Sequence, residues 1–137
     1  MSIVEEAESG FSIRVSGRLL LIRHWGVMTC TLGKAFAEQY KAAIRPLQDT
    51  HWAEVIDLVD VLAVEPGRRD EVATLFEYEN LQNNVATAYL ISDRTAPEHL
   101  RDLRYLIQTQ TASFADQFFR DPLEALNWVN QRLAIAR

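Results

Sequence analysis

The chain has 137 residues, of which 48% are hydrophobic and 24% charged, and a formal net charge of −5. That length fits one domain with a real core, and the acidic balance argues against nucleic acid as partner, because phosphate binding needs a basic face. Cys30 is the only cysteine, which rules out an internal disulfide and makes a reducing compartment, the cytoplasm, the expected address.

Met1 to Gly10 is acidic through Glu5, Glu6 and Glu8 and lacks the basic start and apolar core of a secretory signal. It is expected to be a lead-in to a single domain spanning residues 1–137. Phe11, Ile13 and Val15 alternate with Ser12, Arg14 and Ser16, the period of a half-buried strand. Gly17-Arg18 has the form of a tight hairpin turn, and Leu19 to Val27 returns as a second strand. The apolar run within it, Leu19 to Ile22, is far too short to cross a bilayer.

From Thr31 the period changes. Leu32, Phe36, Tyr40, Ala43 and Leu47 recur at helical spacing, Thr29 or Thr31 can cap the start, and Pro46 ends the helix. Trp52 to Val61 is a third strand, apolar nearly throughout, as expected when helices cover both faces. Pro66-Gly67 restarts the chain; Val72, Leu75, Phe76 and Leu81 predict a second helix closed by Asn83-Asn84. Ala86 to Ile91 is a fourth strand ending at Ser92-Asp93-Arg94. Pro97 opens a third helix with Leu100, Leu103 and Ile107 inward, and Phe114 to Phe119 is a short fifth strand.

The last element is the most clearly marked. Asp121 is placed as N-cap, Pro122 as first helical residue and Glu124 three beyond the cap, with Leu126, Val129 and Leu133 on one face. The predicted fold is α/β, in the order β-β-α-β-α-β-α-β-α. An antiparallel hairpin opens it, and a mostly parallel sheet with right-handed crossovers, covered by helices, follows.

That order resembles the STAS fold of anti-sigma-factor antagonists and sulfate-transporter tails, and more specifically the small bacterial SpoIIAA-like proteins. The likeness is carried by Asp57-Leu58, by the Glu65-Pro66-Gly67 turn, and by the ending from Phe118 to Val129 (FFRDPLEALNWV). It covers Phe11 to Leu133. The antagonists carry a phosphorylatable serine at the start of the helix after the third strand, beside an Asp-Ser-Ser-Gly-like turn. Here the stretch is Val64-Glu65-Pro66-Gly67-Arg68-Arg69-Asp70, with no hydroxyl until Thr74. The resemblance therefore implies a non-enzymatic protein-interaction or regulatory module without that switch. Some relatives are likened to lipid-binding Sec14-type domains, which gives the alternative of a small apolar-ligand or lipid carrier.

Other chemistry is sparse. Asp57 and Asp60 are three apart near a strand end, where satisfaction by backbone donors competes with acid–base work. His24, His51 and His99 show no metal-ligand spacing. Cys30, near a helix start, has no basic neighbour in sequence to activate it, and Ser92 lacks a nucleophile-elbow sequence and fits a turn. Arg68 and Arg69 oppose the helix dipole at a first turn, which suits an acidic partner as well as a solvated pair. Arg101 and Arg104 share a helix face and, with Arg94, could meet a lipid headgroup or acidic protein. Phe76, Tyr78, Phe114, Phe118, Phe119 and Trp128 are mostly core by spacing.

The candidate contact residues are thus Asp60, Glu65, Arg68, Arg69, Ser92, Arg94, Arg101 and Arg104, with no catalytic residue, metal or cofactor. A protein partner is expected to dock on the turn at Glu65 to Arg69 and the exposed face of the second helix. A carrier would instead hold an apolar molecule between the sheet and the second and third helices, with the arginines near its mouth. Unpaired edge strands fit a homodimer.

Overall fold

The computed structural model describes residues 2–68, 71–75, 83–110 and 116–136. Six strands form one sheet in sequential order: β1 (Ser2–Glu6), β2 (Ser9–Ser16), β3 (Leu19–Met28), β4 (Trp52–Val64), β5 (Asn84–Leu90) and β6 (Asp116–Phe119). The first three pair antiparallel and the last four parallel. Helices α1 (Cys30–Ile44), α2 (helical at 71–75), α3 (Pro97–Gln110) and α4 (Pro122–Ile135) complete the fold.

The predicted α/β order holds, with one strand added at its start. Residues 2–6 are not a lead-in: Ser2 to Glu6 pair with Ile13 to Ser9, so three antiparallel strands open the sheet. Glu5 and Glu6 are exposed on an outer strand, where charge guards unpaired backbone groups against unwanted pairing. Strand β4 also runs three residues past Val61 to Val64, held by β3 through two register shifts. The expected helical residues Phe76 and Leu81, Tyr78, and Phe114 of the last strand lie outside the described residues.

Local chemistry explains most boundaries. Gly17 takes φ +61° in the β2–β3 turn, an angle that costs glycine little. Thr29 caps α1, its hydroxyl accepting from the Leu32 N–H at 3.1 Å, and α1 stops at Ile44, two residues before Pro46. Asn83 adopts φ +69° immediately before β5, an angle that asparagine tolerates. Asp121 caps α4 by accepting from the Leu123 N–H at 2.9 Å, with Pro122 next.

The apolar faces set the layers. Phe11, Ile13, Leu20, Ile22 and Trp52 pack under Phe36, Tyr40 and Ile44 of α1. Leu58, Val61 and Tyr89 pack under Leu103, Leu106 and Ile107 of α3, with Val72 and Ala73 of α2 against them. On the opposite face Ala53, Val55, Ala86 and Ala88 meet Ala125 and Val129 of α4. Three helices therefore share one face, as right-handed crossovers in a sequential parallel sheet demand, and among the described residues α4 is the helix that covers the other.

Candidate functional site

The chemistry concentrates where α1, α2 and α3 converge over the sheet. Between them lies a cavity of about 80 Å³. Its floor is His24 and Met28 of β3, Ile56 and Leu58 of β4, and Tyr89 of β5. Phe36 and Tyr40 of α1, Val72 and Leu75 of α2, and His99 and Leu103 of α3 form its other walls, with Arg68 at the junction of β4 and α2. This is where the carrier reading expected a pocket, between the sheet and the second and third helices.

Strand and helix periodicity put the polar groups there. His24 follows Leu20 and Ile22 on the inward face of β3, and its ring lies 4.6 Å from that of Phe36. His99 precedes Leu103 by one turn of α3. Arg68 offers its carbonyl to the Val72 N–H at 3.1 Å, the first backbone bond of α2. Its side chain turns inward and is only 5% exposed, the Nε donating to Glu71 at 3.3 Å. The expectation of a solvated arginine pair on the surface is thereby corrected for Arg68; Arg69 lies outside the described residues. The guanidinium is admitted by Gly33 of α1, where a Cβ would stand 2.7 Å from Arg68 Cζ.

Burial sets the charge state. Desolvation, then the neighbouring His99 and Arg68, lower the pKa of His24 from 6.5 to about 3. His99 is lowered to about 4 by burial and Arg68, against the opposing pull of Asp102 and Glu98. At neutral pH the cavity thus carries two uncharged imidazoles beside one guanidinium, which stays charged. Tyr40 connects this wall to a second buried group: its hydroxyl donates to Glu54 at 2.9 Å, and Glu54 also accepts from Thr87 at 2.8 Å and Asn84 at 3.3 Å.

The other candidates are engaged elsewhere. Glu65 accepts from the Cys30 N–H at 2.9 Å and so caps α1 from across the fold. Residual desolvation, then Glu65 and Glu71, push the Cys30 thiol up, opposite to activation. Asp60 bridges Arg23 at 3.1 Å and Arg94 at 2.5 Å, while Asp57 accepts from the Val59 N–H at 3.0 Å. Ser92 donates to the Val59 carbonyl at 2.9 Å and receives the Arg94 N–H at 3.1 Å, a turn role. Arg104 lies over the Phe118 ring, 5.3 Å from its centroid, and Arg101 is exposed on α3. Arg94 and Arg104 thus face different partners, Asp60 of β4 and Phe118 of β6, and do not converge on one anion site.

Sequence reasoning passed over His24 and His99 as scattered. The available signal was their place on two inward apolar stripes, at positions where a neutral side chain would be expected. Among the described residues no group of three or more His, Cys, Asp or Glu is placed to hold a metal ion, and no helix is long and apolar enough to cross a membrane.

No family model matches the chain. An uncharacterized DUF3478 protein with a SpoIIAA-like fold from Shewanella loihica PV-4 superposes with a TM-score of 0.67. The match covers 92% of this chain and 98% of that one at 15% identity. An anti-sigma factor antagonist from Mycobacterium paratuberculosis matches with a TM-score of 0.63, covering 94% and 95% of the two chains at 15% identity. Both show a shared fold. Among curated proteins, Ribonuclease 3 of Bartonella tribocorum is 23% identical over 118 residues, 85% of this chain and 47% of that protein. The chain thus spans about half the length of that relative.

Proposed function

We propose that this chain, a SpoIIAA-like domain by its fold, is a non-enzymatic regulatory module whose input is a small molecule taken into the cavity beneath the Glu65–Arg68 turn. The single observation that carries the reading is the cavity wall itself: an apolar space bordered by a buried guanidinium and two buried, uncharged imidazoles. Burying a cation costs free energy that an apolar side chain would avoid, so a charged group kept there invites a role beyond packing. The turn that would carry a phosphorylatable serine in the antagonists instead contributes Arg68 to the cavity. An input at that place would act on the same end of the fold without a covalent switch.

A volume of about 80 Å³ suits a molecule of a few heavy atoms and is too small for a lipid chain. The alternative of a lipid carrier is therefore the less favoured form of the ligand reading. Protein docking remains the output of the proposed module. Leu62, 61% exposed, and Val27, 40% exposed, lie on neighbouring strands at the same end and favour that surface.

Thermal unfolding in the low-molecular-mass fraction of a bacterial extract tests the input. A ligand at about 100 times its Kd adds about 2.7 kcal/mol, a rise of several degrees. The rise should vanish in Val72→Phe, which fills the cavity. Equal melting temperatures with and without the fraction, or a rise that Val72→Phe retains, would count against the cavity as the site.

A further inference from the structure

We infer that the cavity ligand is a short-chain monocarboxylate, its carboxylate met by Arg68 with His24 and His99 beside it and its hydrocarbon tail lying against Phe36, Leu58 and Leu103. The inference rests on the ligand reading above and adds the ligand's chemical class.

Arg68, His24 and His99 line the cavity together, and Arg68 and His24 also border one smaller space beside Gly33 and Phe36. Met28, Phe36, Ile56, Leu58, Leu75 and Leu103 supply the apolar remainder. A guanidinium is a planar set of N–H donors matched to carboxylate geometry, and a neutral imidazole adds one N–H. A cationic ligand would be repelled by Arg68. Inorganic phosphate would satisfy the arginine and leave the apolar wall unused.

Glu71, the acidic partner that the structure gives Arg68, meets Nε at 3.3 Å and is itself partly exposed. Among the described residues the guanidinium is bridged at Nε alone, so its terminal N–H groups remain to meet an incoming carboxylate. Size limits the tail. The cavity, about 80 Å³, is near half of the roughly 150 Å³ apolar cavity that takes benzene. Benzene has six heavy atoms, so about half of that space takes three or four: acetate fits, propionate is the upper limit and longer chains overfill it.

The test is an NMR titration of the full chain at pH 7 with acetate, propionate, butyrate, hexanoate, 1-propanol, n-propylamine and inorganic phosphate. The His24 and His99 imidazoles and the Leu103 methyls are the reporters. Affinity should rise about fourfold for the one methylene from acetate to propionate and fall at butyrate and hexanoate. Propionate should bind at least about tenfold tighter than 1-propanol, with n-propylamine and phosphate weaker than propionate. Arg68→Met, or Gly33→Ala where that variant folds poorly, should reduce propionate to the level of 1-propanol and leave 1-propanol unchanged. Binding of 1-propanol as tight as propionate, or a preference that survives both variants, would overturn the carboxylate assignment and keep the cavity reading. Phosphate binding tighter than propionate would likewise overturn it. No response at these reporters to any probe would overturn both.

Discussion

Arg68 of the β4–α2 junction lies over Gly33 of α1, with its guanidinium in the space that any side chain at Gly33 would need. The helix therefore carries a glycine near its start because a distant arginine uses the gap, against the usual helix preference for alanine of about 1 kcal/mol.

Replacing Gly33 by alanine should keep the fold, since improved helix propensity offsets part of the cost of moving a flexible side chain. Global stability is expected to change by no more than about 1 kcal/mol. The displaced guanidinium would no longer depress the imidazoles, so the pKa values of His24 and His99 should both rise. Imidazole titration by NMR reads this directly. Two unchanged titrations would show that Arg68 does not move.

The same two histidines predict an acid-labile fold. Their folded pKa values, about 3 and about 4, lie below the unfolded value of 6.5, so the unfolded chain binds more protons between them. Their stabilising contribution is complete above about pH 6.5 and is lost as the pH falls toward 4. At pH 5 each should cost roughly 2 kcal/mol relative to pH 7. Urea unfolding across that range measures it, and His99→Leu should flatten the slope. A wild-type stability flat from pH 7 to pH 5 would contradict burial of the pair.

Glu65 joins the β4–α2 turn to the start of α1 through the Cys30 N–H. Glu65→Ala removes that cap and should lower stability by about 1 kcal/mol. The same change removes a negative charge that holds the Cys30 thiol up, so alkylation at pH 8 should become faster. A slower or unaltered rate would place Glu65 away from the thiol in solution.

Tyr40 and Glu54 make a buried polar contact beside the cavity. Glu54 is fully buried, and loss of the phenol hydroxyl in Tyr40→Phe strips a 2.9 Å donor from its carboxylate. A loss of about 1–3 kcal/mol is expected, with the denaturant midpoint shifted and its slope unchanged. A neutral substitution would mean that water reaches Glu54.

The layers of the fold were legible because they rest on local signals. The α1 stripe from Leu32 to Tyr40, the hairpin at Gly17 and the Asp121-Pro122 start of α4 are each written within a few residues. Strand β1 was hidden, since acidic residues that suit an exposed outer strand read equally as an acidic lead-in. The extension of β4 to Val64 depends on shifted pairing with β3, which periodicity within one strand does not encode. The site was less legible still. Arg68 and Arg69 look alike in sequence, and the gap left at Gly33, on another element, is what draws Arg68 inward. His24 and His99 become neighbours only when β3 and α3 share one face of the sheet.

If a small molecule enters between the sheet and its three helices, the methyl groups lining that space must respond to it. Methyl chemical-shift mapping of the full chain, with and without the low-molecular-mass fraction of a bacterial extract, reads that response. Perturbations centred on Leu58, Val72 and Leu103 are the predicted result. Perturbations confined to Val27 and Leu62 on the surface, or none at all, would contradict it.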